Sequence, residues 1–310
     1  MGVHKEVMKR SSKGRDYSFA RCSLDPFLSP AKGTFFEDSV TTADVLEFGN
    51  EVLLFFGGLC EHERIGLASV PREHFNGRAW TIWQPDPVLD IGPPGSFDCR
   101  HVTDPASICT ESGILLYYSG LGEGEDAIGL AISEDGKAFF KFSENPLLEG
   151  RAPEIVWHQG QFYLYFVRPD ARGGYSIFLA NSVDGSHFSK PYKQPVLEPS
   201  IGMWDSYTVT TPRIYRAEDR FWLSYAGDDE TRDFPKGFGL AFSKDLIHWE
   251  KYKGNPVLRR GLSGSWDDQA IWFPTLYRHR DRVLMLYEGS HNLSDLTEPV
   301  SQIGLAVLDL

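Results

Sequence analysis

The 310 residues, 41% of them hydrophobic, can bury an ordinary core, yet no stretch supplies the roughly 20 apolar residues that a membrane-spanning helix needs. The formal net charge of −12 opposes nucleic-acid binding, which depends on Lys and Arg neutralising phosphates. None of Cys22, Cys60, Cys99 and Cys109 forms a Cys-x-x-Cys pair, so free thiols are expected rather than a zinc or redox motif.

The chain opens with MGVHKEVMKRSSKGRD, which is basic and polar and has no apolar run behind its charges. Residues 1–16 therefore read as a flexible tail, not a secretory signal, and a cytoplasmic protein is expected. Next comes FARCSLDPFL, the first copy of a recurring phrase in which an aromatic residue is followed seven positions later by Pro. The copies are Phe19 with Asp25-Pro26, Trp80 with Asp86-Pro87, Phe139 with Asn145-Pro146, Phe188 with Gln194-Pro195, and Trp249 with Asn255-Pro256. Most lie roughly 50–60 residues apart, the length of a four-stranded propeller blade.

Three other phrases precede this one in each repeat. The first is a strand carrying Pro105, Pro153, Pro212 or Pro274, with Ala43 in that place in the first copy. The second reads VLLFFGG, ILLYYSG, FYLYFVR, FWLSYAG and VLMLYEG. The third reads RIGLASV, AIGLAIS, SIFLANS, FGLAFS and QIGLAVL, with the alternation of a half-buried strand. Turns follow it at SEDG, SVDG and SKDL, where Asp and Gly supply side-chain hydrogen bonds and left-handed backbone. Each repeat thus has strands A to D, and no helical pattern of useful length appears.

The last repeat stops after strand C, and FARCSLDPFL supplies the missing strand D. The predicted fold is all-β: one domain, a five-bladed β-propeller whose N-terminal strand completes the last blade and removes an exposed edge. The blades fall at about 34–90, 97–149, 150–198, 203–258, and 265–310 with 17–28. Phe97-Asp98, Trp204-Asp205 and Trp266-Asp267 recur too regularly to be unique chemistry, and read as turn caps.

In such a fold strand A lines the central channel. Side chains alternate along a strand, so the residues just before and just after the strand-A Pro should point the same way. These positions offer Asp44, Asp104 and Glu154 from blades 1 to 3, and Arg213 from blade 4. Arg100, His101, Thr103, Arg151 and Thr210 lie nearby. The B–C loops add Glu61, His62 and Glu63, then Glu123, Glu125 and Asp126, and further charges in blades 3 to 5, including Arg232. Most of these read as solvated. Arg168, Glu288 and His291 follow strand B immediately and are the better candidates.

The pattern of Asp-Pro, G-x-x-x-L-x-Y, IGLA-x-S-x-D and NPVL resembles the five-bladed propeller glycoside hydrolases. That group comprises the arabinofuranosidase/β-xylosidase and invertase/levansucrase families and the β-mannoside phosphorylases. The resemblance implies carboxylates from the first three blades acting as base or nucleophile, as orienting group, and as acid. Thr103-Asp104-Pro105 looks like the family's Asp-Pro motif, which makes Asp104 the base or orienting carboxylate. Arg151-Ala152-Pro153-Glu154 looks like its blade-three motif, with Arg151 where the family has Glu, so the acid would be Glu154. In blade 1 Thr41 and Thr42 stand where the family has Asp, leaving Asp44 or Asp38 as the third carboxylate.

The expected function is cleavage of a small glycoside or oligosaccharide, with Arg100, His101, Arg151, Arg168, Arg213, Trp272, Glu288 and His291 binding substrate. The alternatives are a glycoside phosphorylase, or a repurposed propeller that binds sugar or catalyses another reaction. No cofactor is required. An oxygen-rich mouth could hold a structural Ca²⁺, although no ligand spacing demands one. No nucleic-acid or membrane partner is expected, and oligomeric state is not legible.

Overall fold

The computed structural model describes residues 16–189, 191–291 and 300–310, so all of the expected tail except Asp16 lies outside the described residues. Five antiparallel sheets form a five-bladed β-propeller. Strands A, B and C of blade 1 are Ser39–Phe48, Glu51–Cys60 and His62–Pro71. They are His101–Thr110, Gly113–Leu121 and Ala127–Ser133 in blade 2, and Arg151–His158, Gln161–Pro169 and Tyr175–Ser182 in blade 3. Blade 4 has Thr208–Arg216, Phe221–Asp228 and Gly237–Ser243; blade 5 has Ala270–His279, Arg282–His291 and Val300–Asp309. Strand D is short or irregular throughout. In blade 3 the outer position is marked by an isolated bridge between Ile177 and Leu197. Ala20–Arg21 pairs with Val307 and Ala306, so the N-terminal segment completes blade 5 as its fourth strand.

The apolar strand faces meet between neighbouring blades, in five buried clusters. Tyr118, Leu116 and Ala131 of blade 2, for example, pack against Leu53, Phe55 and Leu67 of blade 1. Burial of these large side chains is the main favourable term holding the ring together.

The repeated polar residues close each blade. Asn145 accepts from the Leu130 backbone N–H and donates to its carbonyl, both at 2.9 Å, and Asn255 does the same at Leu240. Asp98 accepts from Tyr118 Oη at 3.0 Å and Lys141 Nζ at 2.6 Å. Asp205 repeats this with Tyr225 and Lys251, and Asp267 with Tyr287 and Arg21. Each Asp therefore ties strand B to strand D, a wider role than the turn cap expected from sequence.

One backbone feature positions the site. Every strand A carries a β-bulge, a shift of register at the residue before the recurring Pro or Ala43. The bulged residues Thr42, Asp104, Ala152, Thr211 and Phe273 have φ between 37° and 54°, in the left-handed region. A bulge frees a backbone N–H from the ladder and breaks the two-residue alternation.

Candidate active site

Because of the bulge, two consecutive side chains of each strand A face the channel. Thr41 and Thr42, Thr103 and Asp104, Arg151 and Ala152, Thr210 and Thr211, and Trp272 and Phe273 all line one hollow of about 220 Å³ at its mouth. Glu63, Tyr175, Arg232, Asp233 and Glu288 complete its wall.

Of the four carboxyl groups that line it, Asp233 comes from a loop of blade 4, and three are linked through threonines: Glu63 of blade 1, Asp104 of blade 2 and Glu288 of blade 5. Two threonines bridge them. Thr103 Oγ1 lies 2.6 Å from Glu63 Oε1 and 3.3 Å from Asp104 Oδ1. Thr42 donates its bulge N–H to Glu288 at 3.0 Å, and its hydroxyl lies 3.5 Å from Asp104 Oδ1. Asp104 Oδ2 is held more firmly, by Ser119 Oγ at 2.7 Å and the Ala152 N–H at 3.3 Å. Oδ1 is the freer oxygen.

Burial, followed by the opposing hydrogen bonds and then the charges of Glu63 and Asp104, leaves Glu288 pushed up to about 8. Burial and the charge of Asp104 also push Glu63 above the usual carboxylate range. Burial, reinforced by crowding, thus favours a protonated carboxyl in the mouth near neutrality. Arg151 Nε stands 3.9 Å from Asp104, a distance for charge attraction rather than a hydrogen bond. Trp272 gives the wall an aromatic face, with Phe234 behind it at 6.1 Å between ring centroids.

The structure separates the three carboxylates expected to converge. Asp104 lines the hollow, whereas Asp44 and Glu154 do not. A strand rises about 3.3 Å per residue, so residues beyond the bulge lie deeper along the channel. There Arg213, fully buried, donates to Glu154 at 3.3 Å, to the Pro153 and Pro105 carbonyls at 2.9 and 3.0 Å, and to Thr275 Oγ1 at 3.1 Å. Asp44 is held by the Ser107 N–H at 2.9 Å and by its hydroxyl. Asp44, Glu154 and Arg213 form a bonded floor beneath the hollow. This corrects the expectation that Arg213 binds substrate and that Asp44 and Glu154 stand at the mouth.

Of the other expected binding residues, Arg151, Trp272 and Glu288 line the hollow. Arg168 lines an adjoining one. Arg100 is exposed outside both, and His291 is also absent from both walls, with its Nδ1 3.5 Å from Gln302. His101 stands behind the wall, where its Nδ1 accepts the Glu63 N–H at 3.0 Å and so orients that residue.

Sequence reasoning left Glu63 among the solvated loop charges. In the structure its place is marked by Gly57, which faces Thr41 in the sheet. A Cβ there would lie 2.1 Å from Thr41 Oγ1 and 2.8 Å from Glu63 Oε1, so the glycine makes room for the carboxylate. Among the described residues no group of three or more His, Cys, Asp or Glu is placed to hold a metal ion.

No protein-family model matches the chain. It is 25% identical over 265 residues to "Uncharacterized protein Rv1502" of Mycobacterium tuberculosis, covering 78% of this chain and 84% of that protein. Three solved structures superpose across almost the whole ring. A glycosyl hydrolase from Bacteroides ovatus has TM-score 0.74 at 16% identity, covering 94% of this chain and 93% of that one. β-1,2-Mannobiose phosphorylase from Listeria innocua, in complex with β-1,2-mannobiose, has TM-score 0.73 at 16% identity, covering 94% and 96%. An N-acetylgalactosamine deacetylase from F. plautii, in complex with blood group B trisaccharide, has TM-score 0.74 at 17% identity, covering 94% and 95%. The fold is that of the propeller glycoside hydrolases and mannoside phosphorylases. No helix of the described residues is long and apolar enough to cross a membrane.

Proposed function

We propose that the protein is a glycoside hydrolase working at the channel mouth. The observation that carries this reading is the meeting of Glu63, Asp104 and Glu288 around one hollow, with Glu288 pushed up to about 8. Glycoside cleavage needs a carboxylic acid to protonate the leaving oxygen and a carboxylate to act at the anomeric carbon. Glu288 keeps its proton near neutrality and is assigned as the acid. Asp104, whose Oδ1 is the freer oxygen, is assigned as the carboxylate that activates water or attacks directly. Glu63 orients the reacting sugar, and Trp272 supplies a stacking surface. The hollow is smaller than the roughly 300–1,000 Å³ of drug-sized ligand sites, which suits one sugar ring.

A phosphorylase is the second reading, because Arg151 and Arg232 border the same hollow and could hold phosphate. The structural likeness to β-1,2-mannobiose phosphorylase adds to its weight. The test is sugar release from a panel of 4-nitrophenyl monoglycosides and from disaccharides including β-1,2-mannobiose, with and without inorganic phosphate. The hydrolase reading expects release without phosphate, and a loss of at least about 100-fold in Asp104→Asn, the scale of one acid–base group. Release that requires phosphate and yields a sugar phosphate would favour the second reading. Unchanged release in Asp104→Asn would refute the assignment of this site.

A further inference from the structure

A second hollow of about 510 Å³ adjoins the first on the side of blades 2 and 3. The two share Arg151, Tyr175 and Arg232. Arg151 sits at the partition, with Nε 3.9 Å from Asp104 on one side and Nη1 3.9 Å from Asp126 on the other. Neither distance is a hydrogen bond, so the guanidinium reaches towards both hollows without being consumed by either carboxylate. Arg168 is fixed by its Nε on the Glu149 carbonyl at 2.9 Å and by the Phe166 ring at 5.1 Å. Among the described residues its Nη groups donate to no protein acceptor.

The charges of this side hollow are matched. Arg151, Arg168 and Arg232 face Glu125, Asp126 and Glu149. An anion would meet the acids, and a cation would meet the arginines. A neutral polyol uses both, because each hydroxyl donates one hydrogen bond and accepts others. The hollow is also open, so a chain can leave it towards solvent.

We propose that the side hollow is a second sugar-binding subsite, which holds the neighbouring neutral unit of a chain whose reacting unit sits in the mouth. The inference rests on the glycoside-cleaving reading and narrows it: the substrate is a disaccharide or longer, not a simple glycoside. Arg151 contacts both units and sets their register, and Arg168 and Asp126 hold the outer one.

The test compares kcat/KM on the fastest-cleaved 4-nitrophenyl monoglycoside with that on a disaccharide of the same sugar, in the wild type, Arg168→Ala and Gly124→Trp. Gly124 lines the side hollow, and a Cβ there meets no atom within 4 Å, so the indole can fill the space without displacing backbone. The expected result is a wild-type preference for the disaccharide, with each variant losing about tenfold more on the disaccharide than on the monoglycoside, the scale of one charge-assisted hydrogen bond. Cleavage of both substrates with equal losses, or with no loss on the disaccharide, would overturn the subsite and leave the glycoside-cleaving reading intact. Failure of the wild type to cleave either substrate would remove both.

Discussion

Glu154 and Glu288 are both pushed up to about 8, with burial the largest cause in each, yet their surroundings give them different roles. Glu288 borders a hollow. Glu154 does not line that hollow and faces Arg213 and the Ile214 N–H. Burial, with the charge of Asp44, outweighs Arg213 at Glu154 and favours its protonated form. The neutral form is favoured by folding. Its contribution to stability is complete below the ordinary glutamate range and is lost as pH rises towards about 8. Glu154→Gln should therefore flatten the fall in Tm between pH 5 and 8 while leaving sugar release measurable. An unchanged pH slope would show that Glu154 is ionised in the fold throughout this range. At this scale Asp104 was legible from its Asp-Pro context, and Glu288 from its place near the end of strand B, inside the strand rather than just after it as expected. Aligned strands B put Gly57, Ser119, Val167, Ala226 and Glu288 at one position, where only blade 5 has a carboxylate. Glu63 was not legible as a site residue, because its direction depends on a hairpin whose loop closes at Glu61 with φ 61°.

At the scale of the element, strand A was recognisable but its bulge was not. Strict alternation predicted that the residues flanking each Pro point the same way, towards the channel mouth. The extra residue instead gives the mouth two adjacent side chains and places Asp44, Glu154 and Arg213 below them. Nothing in a two-residue period signals that insertion. The Phe-Asp and Trp-Asp pairs were rightly set apart from the chemistry. Their regular recurrence matches the Asp–Tyr–cation tie in blades 2, 4 and 5. Asp98→Ala leaves Tyr118 and Lys141 without their acceptor and should lower stability by about 2 kcal/mol, measured by urea denaturation. A change within error would mean that the tie adds no net stability.

For the molecule as a whole, repetition made the fold readable. Five copies of four phrases, with the missing last phrase found at the start of the chain, specify a closed ring, and Ala20–Arg21 closes it. Function was less readable, because a site on the axis is assembled from departures from the repeat. Each departure takes its meaning from neighbours about 60 residues away, such as Asp104 beside Thr42 (62 residues apart). The central claim is that the ring gathers Glu63, Asp104 and Glu288 so that one carboxyl carries a proton for the leaving oxygen. The pH dependence of kcat/KM for sugar release, in the wild type and in Glu288→Gln, tests it most directly. The account predicts that wild-type activity falls as pH rises past about 8 and that Glu288→Gln loses at least about 100-fold on substrates with poor leaving groups. Full activity in Glu288→Gln, with the same alkaline fall, would contradict it.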